Sequence, residues 1–569
     1  MKTPQPRNYL IVGGVAGGAS IAARLRRLDE SARITMLERG RDVSFSNCAL
    51  PYFLSREVED AESLKLVYPE TFHQRYRISA LTHHEAMRID RAGRRVLVRD
   101  LVSGRERELP YDTLFLSPGA SPILPSGLPG IRQPHVFSVR NVEDVERIDR
   151  YLRQHDIRQV AVIGGGFIGV EVMENLVEAG IKVSLIDQAP QVMLPFDEDM
   201  AQFLHKEIVD CGVELILDDG LDSIQPDGVT LKSGRTVSAG AVIMAIGVRP
   251  ETMLAQQAGL ELGQTGAILV DERMQTSDPH IYAVGDAVEV RSLQTGQPTR
   301  LALAGPALRQ ARVAANNAAG LPDRVQGVLG ASVLRVFSLN AASVGLNERQ
   351  CQALGQPYAL SFVSPMDKVG IMPGAMPLFF KLLYEPESGR VLGAQAIGRG
   401  GADKRVDVVA TLLRFGGTVK DLATLELAYS PVFSTARDVV NQAALSACDV
   451  REGLVDTVMF SKARTLHQQG ALFVDVREED EFELGHIKGA VNIPLSRLRE
   501  RMGEIPRDRP VYLHCRSGQR SYNAARVLLQ SGWERVYNLA GSYMALSWHE
   551  FYHDQVSGRE PILTDYQFD

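Results

Sequence analysis

Two segments of this chain repeat one pattern: a short apolar strand, a glycine-rich turn, a helix, a second strand and an acid. The first copy runs through Tyr9 to Val12, Gly13-Gly14-Val15-Ala16-Gly17-Gly18, a helical stretch to about Leu28, and a strand from Arg33 to Leu37 that ends at Glu38. The second runs through Gln159 to Ile163, Gly164-Gly165-Gly166-Phe167-Ile168-Gly169, a helix, and a strand from Lys182 to Ile186 that ends at Asp187. This order defines a dinucleotide-binding βαβ unit. Its glycines let backbone approach a pyrophosphate, and the helix N-terminus offers N–H groups and the positive end of its dipole. Glu38 follows Gly13 by 25 residues and Asp187 follows Gly164 by 23, so each acid can meet ribose hydroxyls. The second copy has the full G-x-G-x-x-G at Gly164, Gly166 and Gly169. Its Asp187 favours the free 2′-hydroxyl of NADH over the 2′-phosphate of NADPH. In the first copy Val15 replaces the middle glycine. Two such sites in one chain imply a bound flavin and a diffusing nicotinamide.

The chain has 569 residues, enough for three or four domains. Net charge is −7 and the pI is near 6.0, which argues against a general nucleic-acid partner. The five cysteines, Cys48, Cys211, Cys351, Cys448 and Cys515, are too few and odd in number for a disulfide framework. They indicate a reducing, cytoplasmic setting. The first residues do not spell a secretory leader. The uncharged run Thr113 to Ile131 contains four prolines and does not read as a membrane span. The histidines, including His83-His84, lack ligand spacing, so no metal site is expected.

Two further segments complete a larger pattern: Tyr111-Asp112-Thr113-Leu114-Phe115-Leu116-Ser117-Pro118-Gly119-Ala120, and Thr276 to Ala287 with Val284-Gly285-Asp286. Over residues 8 to 445 the chain resembles the pyridine nucleotide-disulfide oxidoreductases. That resemblance implies an α/β fold with two interleaved Rossmann-like domains. The FAD-binding domain would span 1–115 and 271–325 and the NADH-binding domain 116–270. An α+β interface (dimerisation) domain at 326–445 would pair two subunits, making a homodimer with a shared active site. A linker at 446–458 would follow. FAD would be held by Gly13, Gly14, Gly17, Gly18, Glu38, Arg39, Gly119, Gly285 and Asp286, with Asp286 on the ribityl chain. NADH would be held by Gly164, Gly166, Gly169, Asp187 and Gly247.

Ser44-Phe45-Ser46-Asn47-Cys48-Ala49-Leu50-Pro51-Tyr52 lies where that family keeps its redox cysteine. Dithiol members need a second cysteine five positions away, and those positions hold Val43 and Phe53. Cys48 must therefore exchange with something external: a sulfenic acid, a bound thiol or a persulfide sulfur. Asn47 could orient the thiolate or simply make the turn. The segment is similar to the coenzyme A-disulfide reductase and NADH peroxidase/oxidase branch. By that resemblance Ser20, Arg24, Arg27, Ser44 and Asn47 match coenzyme A contacts, with Arg75 and Arg437 as further basic candidates. Tyr429 matches a tyrosine that reaches the partner subunit's site. A second family tyrosine would fall near 369–374, where Ile371 and Met372 stand. That departure counts against efficient reduction of coenzyme A disulfide and suits a smaller or more apolar leaving group.

The remainder, 459–569, reads as a strand from Leu472 to Val476 with Asp475, then Arg477, an acidic helix start at Glu478 to Glu483, and a strand Val511 to His514. That strand runs into Cys515-Arg516-Ser517-Gly518-Gln519-Arg520-Ser521 and a helix. This is similar to a single α/β rhodanese domain. The loop's backbone N–H groups and the helix N-terminus would cradle negative charge on Cys515 sulfur, with Arg516 and Arg520 as cationic donors. Tyrosine phosphatases use a loop one residue longer, and their arginine would fall at Ser521. The shorter loop fits persulfide sulfur better than phosphate. Asp475 and Arg477 read as structural supports, and Cys211, Cys351 and Cys448 as structural, with Cys351 after a polar helix end and Cys448 in the linker.

Both modules handle sulfane sulfur. The combined expectation is an NADH-dependent, FAD-containing reductase of persulfides, polysulfides, or coenzyme A persulfide or disulfide, with catalytic roles for Cys48, Asn47, Tyr429, Cys515 and Arg520. The fusion suggests that sulfur passes between Cys48 and Cys515. Rival readings are an NADH oxidase or peroxidase that cycles Cys48 through sulfenic acid, and a sulfur carrier whose flavin domain reports redox state. The helix after Gly13 has no histidine, which counts against the first rival.

Overall fold

The computed structural model describes residues 6–568. Residues 1–5, where a leader would begin, and 569 lie outside them. The chain forms two compact units, one from 6–188 with 219–328 and one from 189–218 with 329–568.

The first unit is built on two parallel sheets. One orders its strands Ile281–Ala283, Thr113–Leu116, Asn8–Val12, Arg33–Leu37, Ile78–Leu81. The other sets Gln159–Ile163 between Lys182–Ile186 and Ala241–Met244, with Val136–Phe137 beyond. Their central strands are apolar almost throughout because both faces are covered. Helix Ala16–Leu28 packs on the first sheet through Ile21, Ala22 and Leu25, spaced for one face. Helix Phe167–Glu178 takes the same place in the second copy.

The second unit contains an antiparallel sheet, in order Ser332–Val336, Leu339–Gly345, Val391–Gly398, Leu378–Tyr384, Ala359–Val363. Strand Leu378–Tyr384 is buried along its whole length. Its Leu378, Phe380 and Leu382 meet helices Ala402–Arg414 and Val439–Arg451. The alternate residues point the other way: Phe379 stacks on Phe203 at 4.2 Å, and Lys381 bonds Asp199. Phe203 belongs to helix Glu198–Asp210, buried over most of its length.

A third sheet follows, all parallel, in order Asp456–Met459, Val536–Ala540, Val511–His514, Leu472–Asp475, Val491–Asn492. Residues 446–458 are not an extended tether. Helix Val439–Arg451 runs through the first six residues of the interval, and strand Asp456–Met459 begins before it ends. Cys448 thus sits in a helix rather than a connector. Cys351 lies inside helix Glu348–Leu354, fully buried against Leu383 and Leu392, not after a helix end. The polar residues around it, Glu348-Arg349-Gln350 and Gln352, disguise a helix whose single buried side chain is the cysteine.

Within the second unit the C-terminal module meets helix Glu198–Asp210 through aromatic packing. Phe203 lies 5.9 Å from Trp548 and 6.1 Å from Phe460. Lys206 stands 3.8 Å over the Phe568 ring and 4.8 Å over Trp548.

Candidate functional site

The two glycine turns are built alike, and the likeness separates what the fold requires from what a ligand requires. Gly13 adopts φ +95° and Gly164 φ +112°. A Cβ at either would meet backbone oxygen, at 2.0 Å from Ser117 or 2.4 Å from Ala245. A Cβ at Gly18 or Gly169 would lie 1.8 Å from the carbonyl of Gly13 or Gly164. The fold itself therefore demands the first and last glycines. The middle position differs. Gly166 has an ordinary φ of −82° and no protein atom within 4 Å of a Cβ, so only an approaching ligand gains from the missing side chain. Val15 occupies the matching place at φ −99° without strain. No side chain caps either helix, which leaves their first N–H groups available to a pyrophosphate.

The acids close both turns. Glu38 Oε2 accepts from Gly14 N at 2.8 Å and its Oε1 from Gly40 N at 2.7 Å. Asp187 Oδ2 accepts from Gly165 N at 2.6 Å. Each carboxylate is thus held at the end of its strand against its glycine turn. Arg39, half exposed, pairs with Glu85 and Glu251. Gly119 at φ +74° and Gly247 at φ +115° turn the backbone after their strands. Gly285 opens the short turn that carries Asp286, and Gln310 accepts from its N–H at 2.7 Å. Burial pushes the Asp286 carboxyl upward.

Cys48 sits exposed in the 3₁₀ turn Asn47–Ala49. Ser44, at φ +49°, donates its N–H to the Gly14 carbonyl at 2.9 Å and so ties this loop to the first glycine turn. On the other side Ser55 Oγ meets Asn175 Oδ1 of helix Phe167–Glu178 at 2.6 Å. The cysteine loop is thus fastened to both dinucleotide units. Val43 and Phe53, the positions a second cysteine would need, are buried. The Cys48 thiol is pushed up, first by desolvation and then by the carboxylates of Glu171 and Asp286. Glu171 is a residue the sequence did not single out. Its carboxyl is raised to about 7 by burial and by Glu174 one turn away. A second omission is Arg312. Arg24 bonds Asn316 at 2.8 Å, and its basicity is lowered by desolvation and by the neighbouring charges of Arg312 and Arg27. Like charges gathered this way form a site for an anion. Ser20 is half-buried on the same helix, and Arg75 is exposed on helix Pro69–Tyr76.

In the second unit Tyr429 is exposed in an irregular segment, with Val432 and Phe433 exposed beside it. Val369 N donates to Pro431 carbonyl at 3.3 Å, so the stretch holding exposed Ile371 lies alongside. Arg437 is exposed after this segment.

Cys515 directly follows strand Val511–His514 and is 1% exposed. Its sulfur accepts from Gly518 N at 3.1 Å and faces Ser521 Oγ at 3.5 Å. Ser517, Gly518 and Gln519 carry the backbone into helix Gln519–Gln530. Arg520 holds Glu481 through two bonds of 2.5 and 2.7 Å. Behind the loop Arg477 is fully buried, bonds Asp475 and the Gly485 carbonyl, and lies 4.3 Å over the Tyr543 ring. His514 is buried beside Asp475, and desolvation lowers its basicity. Cys211 is half-buried at a helix end, before Gly212.

One acidic group resembles a cation site. Oxygens of Asp197, Asp199 and Glu348 lie within 4.8 Å of one another. Lys381 Nζ fills the position at 3.0, 2.7 and 2.5 Å from them.

Paired dinucleotide turns around a cysteine loop define a two-site oxidoreductase of sulfur. The family model described as pyridine nucleotide-disulphide oxidoreductase matches residues 7–316, that family's dimerisation domain matches 332–440, and a rhodanese-like domain matches 461–548. The chain belongs to the pyridine nucleotide-disulphide oxidoreductase family and ends in a rhodanese-like domain; the family pairs FAD with a nicotinamide dinucleotide. It is 33% identical over 440 residues to a coenzyme A disulfide reductase of Staphylococcus aureus, covering 77% of this chain and 99% of that one. A solved structure of reduced Bacillus anthracis CoADR-RHD is 42% identical, with a TM-score of 0.92 over 96% of this chain and 98% of the other. A NAD-dependent persulfide reductase from A. fulgidus is 34% identical, with a TM-score of 0.90 over 95% and 99%. No helix among the described residues is long and apolar enough to cross a membrane.

Proposed function

We propose that this protein is an FAD-dependent NADH:persulfide or polysulfide reductase, acting also on coenzyme A persulfide or disulfide, whose rhodanese cysteine carries sulfane sulfur. The observation that carries this reading is the setting of Cys48: exposed, fastened to both nucleotide turns, and without a second cysteine in place. Such a thiol must exchange with a partner brought from outside, and a persulfide sulfur suits it. The likeness along nearly the whole chain to a persulfide reductase supports the same class.

The balanced reaction is NADH + H⁺ + R–S–SH → NAD⁺ + R–SH + H₂S. Cys48 thiolate attacks the inner sulfur and expels hydrosulfide. Two electrons then cleave the mixed disulfide and return the thiolate with R–S⁻. When bound, the flavin supplies those electrons from NADH. The residues present fit it: the Gly13 turn and helix N-terminus suit the pyrophosphate, Glu38 the ribose, and Asp286, with Gly119 and Gly285 shaping the backbone, the ribityl side. Gly164, Gly166, Gly169, Asp187 and Gly247 serve NADH in the same way. Asn47 orients the Cys48 thiolate.

Arg24 and Arg27, joined by Arg312, take the phosphates of a coenzyme A carrier, with Ser20, Ser44, Asn47, Arg75 and Arg437 as further contacts. In a homodimer Tyr429 completes the partner's site. A reducing, cytoplasmic setting suits a chain in which none of the five cysteines forms a disulfide. The proposed division is 1–115 with 271–325, 116–270, 326–445 and 459–569, with 446–458 the stretch between the last two, helical to Arg451 and entering the C-terminal sheet at Asp456. The test is anaerobic NADH oxidation with coenzyme A persulfide, polysulfide, peroxide and oxygen in parallel. The first two should exceed the last two by at least about tenfold, and dominance of peroxide or oxygen would overturn the reading.

A further inference from the structure

The rhodanese loop carries a counter-charge. Arg520 is the last residue of the sulfur cradle, and both of its terminal nitrogens grip the Glu481 carboxylate, at 2.5 and 2.7 Å. Glu481 is itself fixed. Its Oε2 also accepts from Glu478 N at 3.2 Å, closing the capping box of helix Glu479–Glu483. Glu478 is in turn bonded to Ser496 Oγ at 3.1 Å. Neither partner of the ion pair is more than about a third exposed. The pair is therefore a built part of the loop's mouth rather than a wandering surface contact.

Inside the loop the sulfur is met by neutral donors and by the Arg520 guanidinium, the same group that Glu481 grips. Gly518 N–H and Ser521 Oγ meet Cys515 Sγ, and Ser542 Oγ stands behind them at 4.0 Å. A second charge on an incoming donor needs unopposed cationic charge, and Glu481 opposes that of Arg520.

Resting on the reading of Cys515 as a sulfane-sulfur carrier, we propose that Glu481 sets the module's donor class: it favours persulfides that bring a single charge to the loop and disfavours the dianion thiosulfate. The two loading steps balance as Cys515–S⁻ + R–S–S⁻ + H⁺ → Cys515–S–S⁻ + R–SH, and Cys515–S⁻ + S–SO₃²⁻ → Cys515–S–S⁻ + SO₃²⁻. They differ in the charge that must approach Arg520.

The test uses the full chain, cyanide as acceptor, and 2-hydroxyethyl persulfide or thiosulfate as donor. Glu481→Gln keeps an amide able to close the capping box, so the loop keeps its support. Coulomb energy scales with donor charge, so the logarithm of the gain for thiosulfate should be about twice that for the persulfide. The expected gains in kcat/KM are about tenfold and about threefold, both shrinking in added salt. Glu481→Asp, which keeps the charge, should leave the donor ratio near that of the unmodified chain. Equal gains for both donors, or none, would overturn the proposal. A +32 Da shift at Cys515 after donor treatment, lost in Cys515→Ser, reports separately on the carrier reading. If Cys515 never gains sulfur, that reading fails; if it does and the donor ratio ignores Glu481, only the charge proposal fails.

Discussion

Asp187 accepts a 2.6 Å hydrogen bond from the backbone of Gly165, in the turn that should hold the NADH pyrophosphate. The bond fixes the carboxylate at the end of its strand before any ligand arrives. A 2′-phosphate placed there meets a held negative charge, while a 2′-hydroxyl meets an acceptor. Asp187→Ala should raise KM for NADH by about tenfold, the scale of a charged hydrogen bond. It should also narrow the preference over NADPH. Initial rates with both nucleotides at fixed persulfide measure the change, and an unaltered ratio would remove Asp187 from nucleotide selection.

Cys48 and Cys515 should fail independently. Cys48→Ser should lower NADH-dependent persulfide reduction by about 10³-fold or more, as removal of a nucleophile does. It should leave sulfur loading of Cys515 intact. Steady-state NADH oxidation and intact-protein mass spectrometry read the two functions on one sample. Loss of loading in Cys48→Ser would mean that the Cys515 sulfur arrives only through the flavin-side cysteine.

Glu171 gives a pH signature. Its carboxyl lies near 4.5 when unfolded and about 7 in the folded chain, because burial and Glu174 disfavour its charge. The folded state therefore binds this proton more tightly than the unfolded one. Stability from this group is complete below about 4.5 and is lost as pH rises to about 7. Glu171→Gln should flatten that part of the melting temperature profile. It should also lower the pH at which Cys48 reacts with iodoacetamide, since one of the carboxylates that raise the thiol is gone. If neither curve moved, Glu171 would not be charged beside Cys48.

Much of this was readable in the sequence. Strands Gln159–Ile163, Lys182–Ile186 and Val511–His514 have the limits that apolar runs predicted, since central parallel strands are buried on both faces. The glycine turns were readable because backbone contacts leave no choice at Gly13 and Gly18. What escaped notice depends on distant packing. Glu171 lies on an apolar helix and matters only where the Cys48 loop touches that helix. Glu481 and Arg520 are 39 residues apart, and nothing local couples them. Helix Glu348–Leu354 hides its one buried residue among polar ones.

Lys381 supplies the sharpest stability test. It interrupts the apolar strand Leu378–Tyr384 and is fully buried among Asp197, Asp199 and Glu348. Burial opposes its charge, yet the three acids keep it protonated above the usual lysine range. Burial also pushes the Asp197 carboxyl upward. The side chain joins the sheet to residues around helix Glu198–Asp210, where Phe203, one turn beyond Asp199, packs on Phe379 and Trp548. Lys381→Met keeps the volume but leaves the carboxylates facing one another in a dry site. Breaking one partner of such a cluster costs about 3–5 kcal/mol. The variant should melt well below the unmodified chain at pH 7. The deficit should shrink as pH falls toward 5, because protonating an acid relieves the repulsion. Adding Asp197→Asn should restore part of the loss at pH 7. A deficit independent of pH would assign the effect to packing alone.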